Sequence, residues 1–210
     1  MKYVFSFFLI ISLTACQTSL VSDLTHPGGR LFWDDFSDPS GNWPQASGPD
    51  GSLGYADGAY RMTVQLPNYD LWAFSGHTYR DVQVEADAVR LAGPLENLFG
   101  LACRSQASEN FYFFIISSDG YYAIGKIKNG TASLLGQEMM AYSAAIQQGN
   151  GPNHLRFDCI GQSLTGSVND QPVASTNDPD FSSGDAGLLA GAFAEPGVDV
   201  SFDNFVVIKP

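Results

Sequence analysis

The chain is poor in basic residues: ten Lys and Arg stand against 22 Asp and Glu, a formal net charge of −12 over 210 residues. Nucleic acid requires a basic footprint to neutralise phosphates, so this balance excludes it as a partner. Attraction of the whole chain to anionic head groups is excluded likewise. Only three histidines occur, His26, His77 and His154, and none has metal-ligand spacing to another ligand type. The three cysteines, Cys16, Cys103 and Cys159, form no Cys-x-x-Cys pair, which removes zinc ribbons and thioredoxin-like chemistry. There is no Gly-x-Gly-x-x-Gly or phosphate loop, and so no support for a nucleotide cofactor. Ser75-Gly76-His77 and Gly161-Gln162-Ser163 lack the Gly-x-Ser-x-Gly elbow of serine hydrolases. Finally, no apolar run reaches the roughly 20 residues that a bilayer-spanning helix needs.

The longest apolar run is at the start. Met1-Lys2-Tyr3 precedes Val4, Phe5, Phe7, Phe8, Leu9, Ile10, Ile11 and Leu13, a charged n-region and a short h-region in the manner of a signal peptide. Leu13-Thr14-Ala15-Cys16 then resembles the lipobox of bacterial lipoprotein precursors. That resemblance implies removal of residues 1–15 and lipidation of the Cys16 sulfur, with acyl chains such as palmitate. At about 0.8 kcal/mol per buried methylene, several chains give a stable anchor where one is marginal. The expected location is the cell envelope, on the outer membrane or the outer face of the cytoplasmic membrane. Gln17, where an aspartate does not stand, permits outer-membrane sorting. The other reading is a secretory signal with a chance cysteine. Cleavage removes Lys2 and moves the formal charge to −13, leaving 195 residues, a length suited to one large all-β domain.

With Cys16 assigned to lipid, Cys103 and Cys159 form an even pair, which in an exported chain reads as a disulfide. Closing that loop would contribute about 4 kcal/mol at most in the chain-entropy model. Two buried free thiols are the alternative. Residues 16–30 are small and polar and end in His26-Pro27-Gly28-Gly29, a flexible tether. From residue 31 to 210 the chain breaks into short β-branched and aromatic segments with turn residues every 8 to 12 positions or so. Strands are expected at 31–36, 58–66, 70–75, 80–90, 97–105, 110–118, 121–128, 131–135, 153–160, 163–168, 171–175, 185–192 and 198–208. Only 138–147 leaves room for a helical turn.

Asp119-Gly120 reads as a two-residue hairpin loop. It would pair Ser118 with Tyr121, Ile116 with Ala123, Phe114 with Gly125 and Tyr112 with Ile127 on a core face. Tyr122, Ile124 and Lys126 would then fall on the opposite, mixed face. Strands 97–105, 110–118, 121–128 and 131–135 should lie side by side, and the last strand should close beside the first.

Several segments together resemble the laminin-G-like and concanavalin-A-like jelly rolls of bacterial envelope proteins, including domains related to three-keto-disaccharide hydrolases. They are Trp33-Asp34-Asp35-Phe36-Ser37-Asp38-Pro39, Tyr55-x-x-Gly58-x-Tyr60, Gly100-Leu101-Ala102-Cys103-Arg104, Asn110-Phe111-Tyr112, Ser118-Asp119-Gly120-Tyr121-Tyr122, Leu155-Arg156-Phe157-Asp158-Cys159 and Phe202-Asp203-Asn204-Phe205. The resemblance implies an all-β, two-sheet antiparallel jelly-roll β-sandwich. It also implies that strands 100–105 and 155–159 are close, in favour of the disulfide. Fold alone does not imply activity.

An enzyme of this architecture needs its acids. Laminarinase-type hydrolases on this fold carry Glu-x-Asp-x-x-Glu on one strand, with carboxylates about 7 Å apart on one face. Here Glu85 and Asp87 match, but Val89 and Arg90 occupy the positions where the third acid should be. An amphipathic strand with Val82, Val84, Ala86 and Ala88 inward is the competing reading. Binding asks for less: exposed rings to stack on sugars and polar groups to orient hydroxyls. The candidates are Trp72, Arg104, Tyr122 and Lys126. A structural calcium near the first and last strands could use Asp34, Asp35, Asp199 and Asp203, although no twelve-residue calcium loop occurs. The leading expectation is a non-catalytic, lipid-anchored module binding glycan or another envelope component. A three-keto-disaccharide-type hydrolase using Glu85 or Asp87 and a protein-binding adhesion module are the alternatives.

Overall fold

The computed structural model describes residues 29–107 and 109–210. Cys16, the signal peptide and nearly all of the tether lie outside the described residues.

The strands in chain order are β1 (Arg30–Asp34), β2 (Ala46–Gly48), β3 (Gly51–Ala56), β4 (Ala59–Val64), β5 (Tyr69–Phe74), β6 (Val82–Ala92), β7 (Asn97–Gln106) and β8 (Asn110–Ile116). They continue as β9 (Tyr121–Lys128), β10 (Thr131–Leu134), β11 (Ala141–Tyr142), β12 (Asn153–Ile160), β13 (Ser163–Val168), β14 (Gln171–Asn177), β15 (Asp185–Ala192) and β16 (Val198–Ile208). They form two antiparallel sheets. One runs β14-β13-β12-β6-β16-β4-β3-β2, with β1 also on β16; the other runs β10-β9-β8-β7-β15-β5, with β11 on β9. The protein is a jelly-roll β-sandwich.

Period-two alternation dictates the layers. In β12, Leu155, Phe157 and Cys159 are buried while His154, Arg156 and Asp158 face out. In β4, Tyr60, Met62 and Val64 are buried between their outward neighbours. Phe99, Phe114, Phe157 and Phe202 meet between the sheets, each such side chain contributing roughly 1.5–3 kcal/mol on burial. The expected strand neighbours hold: β7 to β10 lie side by side, and β1 closes on β16 with Trp33 opposite Val206.

Three expectations change. Strands β2, β3 and β11 were not foreseen, and no helix occurs among the described residues. The 138–147 stretch is instead fastened to the hairpin loop: Ala141 and Tyr142 pair with Tyr122 and Tyr121, and the Ser143 N–H donates to Gly120 O at 2.9 Å. The hairpin itself has a three-residue loop, Ser118 to Gly120, because Ser117 N–H donates to Tyr121 O at 2.8 Å. Gly120 takes the positive φ of 101° that such a loop requires. Ser118 cannot join the ladder because its N–H donates to Asn97 Oδ1 at 3.0 Å. Tyr112 therefore pairs with Lys126, Phe114 with Ile124 and Ile116 with Tyr122. A one-residue slip turns the whole of β9 over, so Tyr122, Ile124 and Lys126 share the face of Tyr112, Phe114 and Ile116.

The sandwich is clamped at one end. Cys103 of β7 and Cys159 of β12 form the disulfide, joining the two sheets across a Cα separation of 6.8 Å. The next residue, Arg104, sits in a bulge with φ 56° and is only 1% exposed. Its Nε donates to Arg80 O, Nη1 to Gly161 O and Phe181 O, and Nη2 to Cys159 O and Asp81 Oδ1, all within 3.1 Å. All five guanidinium N–H groups are thereby taken. Arg104 was expected as a ligand contact; the bulge turns it inward, where it has no donor left to offer. Arg104→Met strips four backbone carbonyls of a donor and should cost about 3 kcal/mol or more in urea unfolding. A loss under about 1 kcal/mol, the worth of one ordinary hydrogen bond, would contradict the clamp.

Candidate functional site

The outer face of the nine-stranded sheet gathers the acids that a hydrolase would need. Cross-strand register sets His154 opposite Asp87 and Arg156 opposite Glu85. His154 Nδ1 lies 2.8 Å from Asp87 Oδ1, and its Nε2 lies 3.6 Å from Glu85 Oε2. Asn204 Nδ2 donates to the other Asp87 oxygen at 2.9 Å, and Arg156 is bidentate to Asp158 at 2.8 and 2.9 Å. The hydrogen bonds to Asp87 and then Glu85 hold the imidazole protonated, pushed up to about 10. Asp87 is correspondingly held below the usual carboxylate range, chiefly by His154. A general acid needs the opposite shift. Glu85 and Asp87 thus serve as counter-ions to a cation. Sequence reasoning missed His154 because only the β6–β12 register brings it to partners 67 residues away.

Since the folded-state value of His154 lies above its ordinary 6.5, its stabilising charge is complete below pH 6.5 and fades as pH rises toward 10. The His154 ring signals in an NMR titration should therefore show no inflection between pH 5.5 and 8 or so. Asp87→Asn should bring the inflection down into that window. A wild-type midpoint near 6.5 would overturn the assignment.

The outer face of the seven-stranded sheet is apolar. Alternation puts Trp72 and Phe74 of β5, Leu98 and Ala102 of β7, Phe111, Phe113 and Ile115 of β8, and Leu189 of β15 on it. Strands β5 and β8 are three steps apart, about 14 Å at the usual spacing. Yet the Trp72 and Phe74 rings lie 5.5 and 5.4 Å from Phe111. Glycine and alanine on the intervening strands, among them Gly100, Ala102 and Gly187, form a floor over which the rings meet. The Phe113 ring covers Gly125, where a Cβ would come within 2.3 Å of it. Trp72, expected as a ligand contact, is a half-buried wall of this second core.

Because the middle of that face is filled, its openings are at the ends. At the end away from the clamp, a cleft of about 190 Å³ is lined by Glu96, Ser117, Asp119, Tyr121, Met140 and Phe193. Tyr121 is 40% exposed and Phe193 37%, and Tyr142 packs edge-on to Tyr121 at 5.8 Å. The two acid-bearing loops are locked together from below by Asn97, which is fully buried. Its Nδ2 donates to Pro94 O at 2.7 Å and to Ser118 Oγ at 3.0 Å, while its Oδ1 accepts the Ser118 N–H. Ser117 donates its hydroxyl to Asp119. Rings beside two carboxylates, of which Ser117 orients that of Asp119, suit a polyol with an apolar face.

Tyr122 and Lys126 are not part of this cleft. Tyr122 packs against the main core, and Lys126 reaches Asp178 at 2.5 Å and Asp180 at 2.6 Å. The expected tyrosine is the neighbour of the one that lines the cleft, a direct result of the register slip. Glu96, Asp119 and Phe193 carried no signal in the sequence beyond their loop positions. The four acids considered for calcium are held separately. Arg61 Nε meets Asp199 at 2.7 Å, Asp34 accepts the Phe36 N–H at 2.7 Å, Asp35 accepts from Ser37, and Asp203 accepts from Asn204. Among the described residues, no three His, Cys, Asp or Glu converge as a metal site.

No protein-family model and no curated protein matches the sequence. Solved structures do. The carbohydrate-binding module CBM66 from Bacillus subtilis superposes with a TM-score of 0.65 at 19% identity, covering 80% of this chain and 96% of that one. A Bacillus subtilis protein of unknown function with a galectin-like fold gives 0.66 at 13% identity, covering 87% and 96%. The Bacillus licheniformis β-glucanase gives 0.60 at 13%, covering 87% and 99%. At these identities the likeness establishes the fold, a jelly-roll sandwich shared by carbohydrate-binding modules and glycoside hydrolases.

Proposed function

We propose that the protein is a non-catalytic glycan-binding module, lipid-anchored through Cys16 and displayed in the cell envelope. The observation that carries this reading is the cleft in which exposed Tyr121 and Phe193 stand beside Glu96 and Asp119 on loops locked by Asn97. The shared fold with a carbohydrate-binding module supports it. At about 190 Å³ the cleft is smaller than a drug-sized pocket of about 300 Å³ or more. It suits one terminal sugar residue. Two carboxylates in a strongly acidic chain favour neutral or amino sugars and disfavour uronic, sulfated or phosphorylated ones.

The counter-ion role of Glu85 and Asp87 argues against the hydrolase alternative. A glycan array with neutral, amino and acidic sugars, run with and without calcium and a chelator, tests the proposal. Binding should concentrate on neutral or amino glycans and fall tenfold or so in Tyr121→Ala and Asp119→Asn, matching the loss of one stacking ring or one charge-assisted hydrogen bond. The absence of any glycan signal would sink it. Sugar release that disappears in Glu85→Gln would establish the hydrolase reading instead. Loss of binding in the chelator arm would restore calcium to the site. The mass of the N-terminal peptide tests the anchor, which should be a diacylglyceryl-modified Cys16.

A further inference from the structure

The charge balance is uneven over the surface. Nine Lys and Arg side chains lie in the described residues. Arg61, Arg104, Lys126, Lys128 and Arg156 are in ion pairs. Arg90 is spent on Gly93 O, Gly149 O and Asn150. The remaining three, Arg30, Arg80 and Lys209, have no ion pair among the described residues, and they lie together. Arg80 and Lys209 line one cleft with Leu31 and Ile160, and Arg30 lies over the Trp33 ring at 5.2 Å. The one side-chain carboxylate in that cleft, Asp81, is already paired with Arg104, and the Pro210 α-carboxylate is the other anionic group there. Around these cations the surface is apolar: Leu31 is 49% exposed, Trp33 47% and Ile160 39%.

This end is also where the chain enters the sandwich, since Arg30 pairs with Ile208 and the Lys209 N–H donates to Gly29 O. Twelve residues, 17–28, separate Gly29 from Cys16. Twelve residues reach about 43 Å at most. We infer that the chain-entry end of the sandwich is a membrane-resting face, fitted to a bilayer containing anionic phospholipid. An exposed tryptophan, aliphatic side chains and unpaired cations are the composition of a membrane interface. The charge argument against lipid head groups holds for the chain as a whole and fails for this end, while the remaining acidic surface is repelled outward. The inference takes from the anchor reading only the reason the domain stays near a membrane.

The test uses tryptophan quenching of the full chain, purified from membranes, on vesicles with brominated acyl chains. One set is phosphatidylcholine alone; the other is an equimolar mixture with phosphatidylglycerol. Quenching should appear on the anionic vesicles and disappear in Trp33→Phe, because Trp43 is buried and Trp72 belongs to the opposite sheet. It should also be lost in the combined Arg30→Gln, Arg80→Gln, Lys209→Gln variant and at roughly 1 M salt, where the Debye length is about 3 Å. No quenching, or equal quenching on both vesicle types, would overturn the inference. If the chain purified from membranes proves unmodified at Cys16 by mass and is still quenched on anionic vesicles, the inference stands and the anchor reading fails.

Discussion

A single buried guanidinium holds three loops and a disulfide in one arrangement at one end of the sandwich. Burying a cation is costly unless each of its hydrogens has a partner. Arg104 meets that condition by drawing together carbonyls from residues 80, 161 and 181, which belong to three separate connections, and from Cys159 of β12. The Cys103–Cys159 bond alone would fix one point between the sheets. Arg104, one residue further on, fixes the direction of the chain leaving β7 and the approach of the chain into β6 and β15. The positive φ at Arg104 is the local strain that makes this possible, and the bulge it creates is why β7 and β8 lose register beyond Cys103.

Much of the fold was legible because alternation and turn chemistry act locally. The β12 pattern, the first and last strands and the β7 to β10 meander could be read from spacing, and the cysteine pair from an even count in a chain read as exported. What could not be read depends on side chains reaching across the fold. Asn97 removes Ser118 from the β8–β9 ladder, and no local rule reports that from 21 residues away. The consequence is confined to one strand but decides which tyrosine faces the cleft. Arg104 was misjudged for a related reason, since a bulge shifts a side chain between faces without altering the composition of its strand. The glycine-rich strand β3 lacked the β-branched residues that mark strands elsewhere.

The two outer faces of the sandwich are opposites. On the nine-stranded sheet, polar side chains satisfy one another: His154 bridges two acids, Arg156 takes a third, and Asn204 caps Asp87. On the seven-stranded sheet, apolar side chains do the same across a glycine floor. On each sheet the middle of the broad face is filled by its own residues.

The two ends of the sandwich lie far apart. Strand β6 rises from the clamped end, where Val82 pairs with Cys159, to the far end, where Ala92 pairs with Asp199. Its 11 residues span about 35 Å. The chain enters beside the clamp, and the Tyr121 cleft lies at the far end, reached through the 93–96 connection that follows β6. A pull on the entering chain is thus received by β1, which is hydrogen-bonded to the long strand β16, close to the disulfide and away from the loops that Asn97 orders. That separation keeps a load on the entering chain away from the loops that Asn97 locks. If the clamped end rests on a bilayer, the same 35 Å carries the cleft several Debye lengths clear of the anionic surface at physiological salt. Its carboxylates then meet their ligand in a field set by the protein alone.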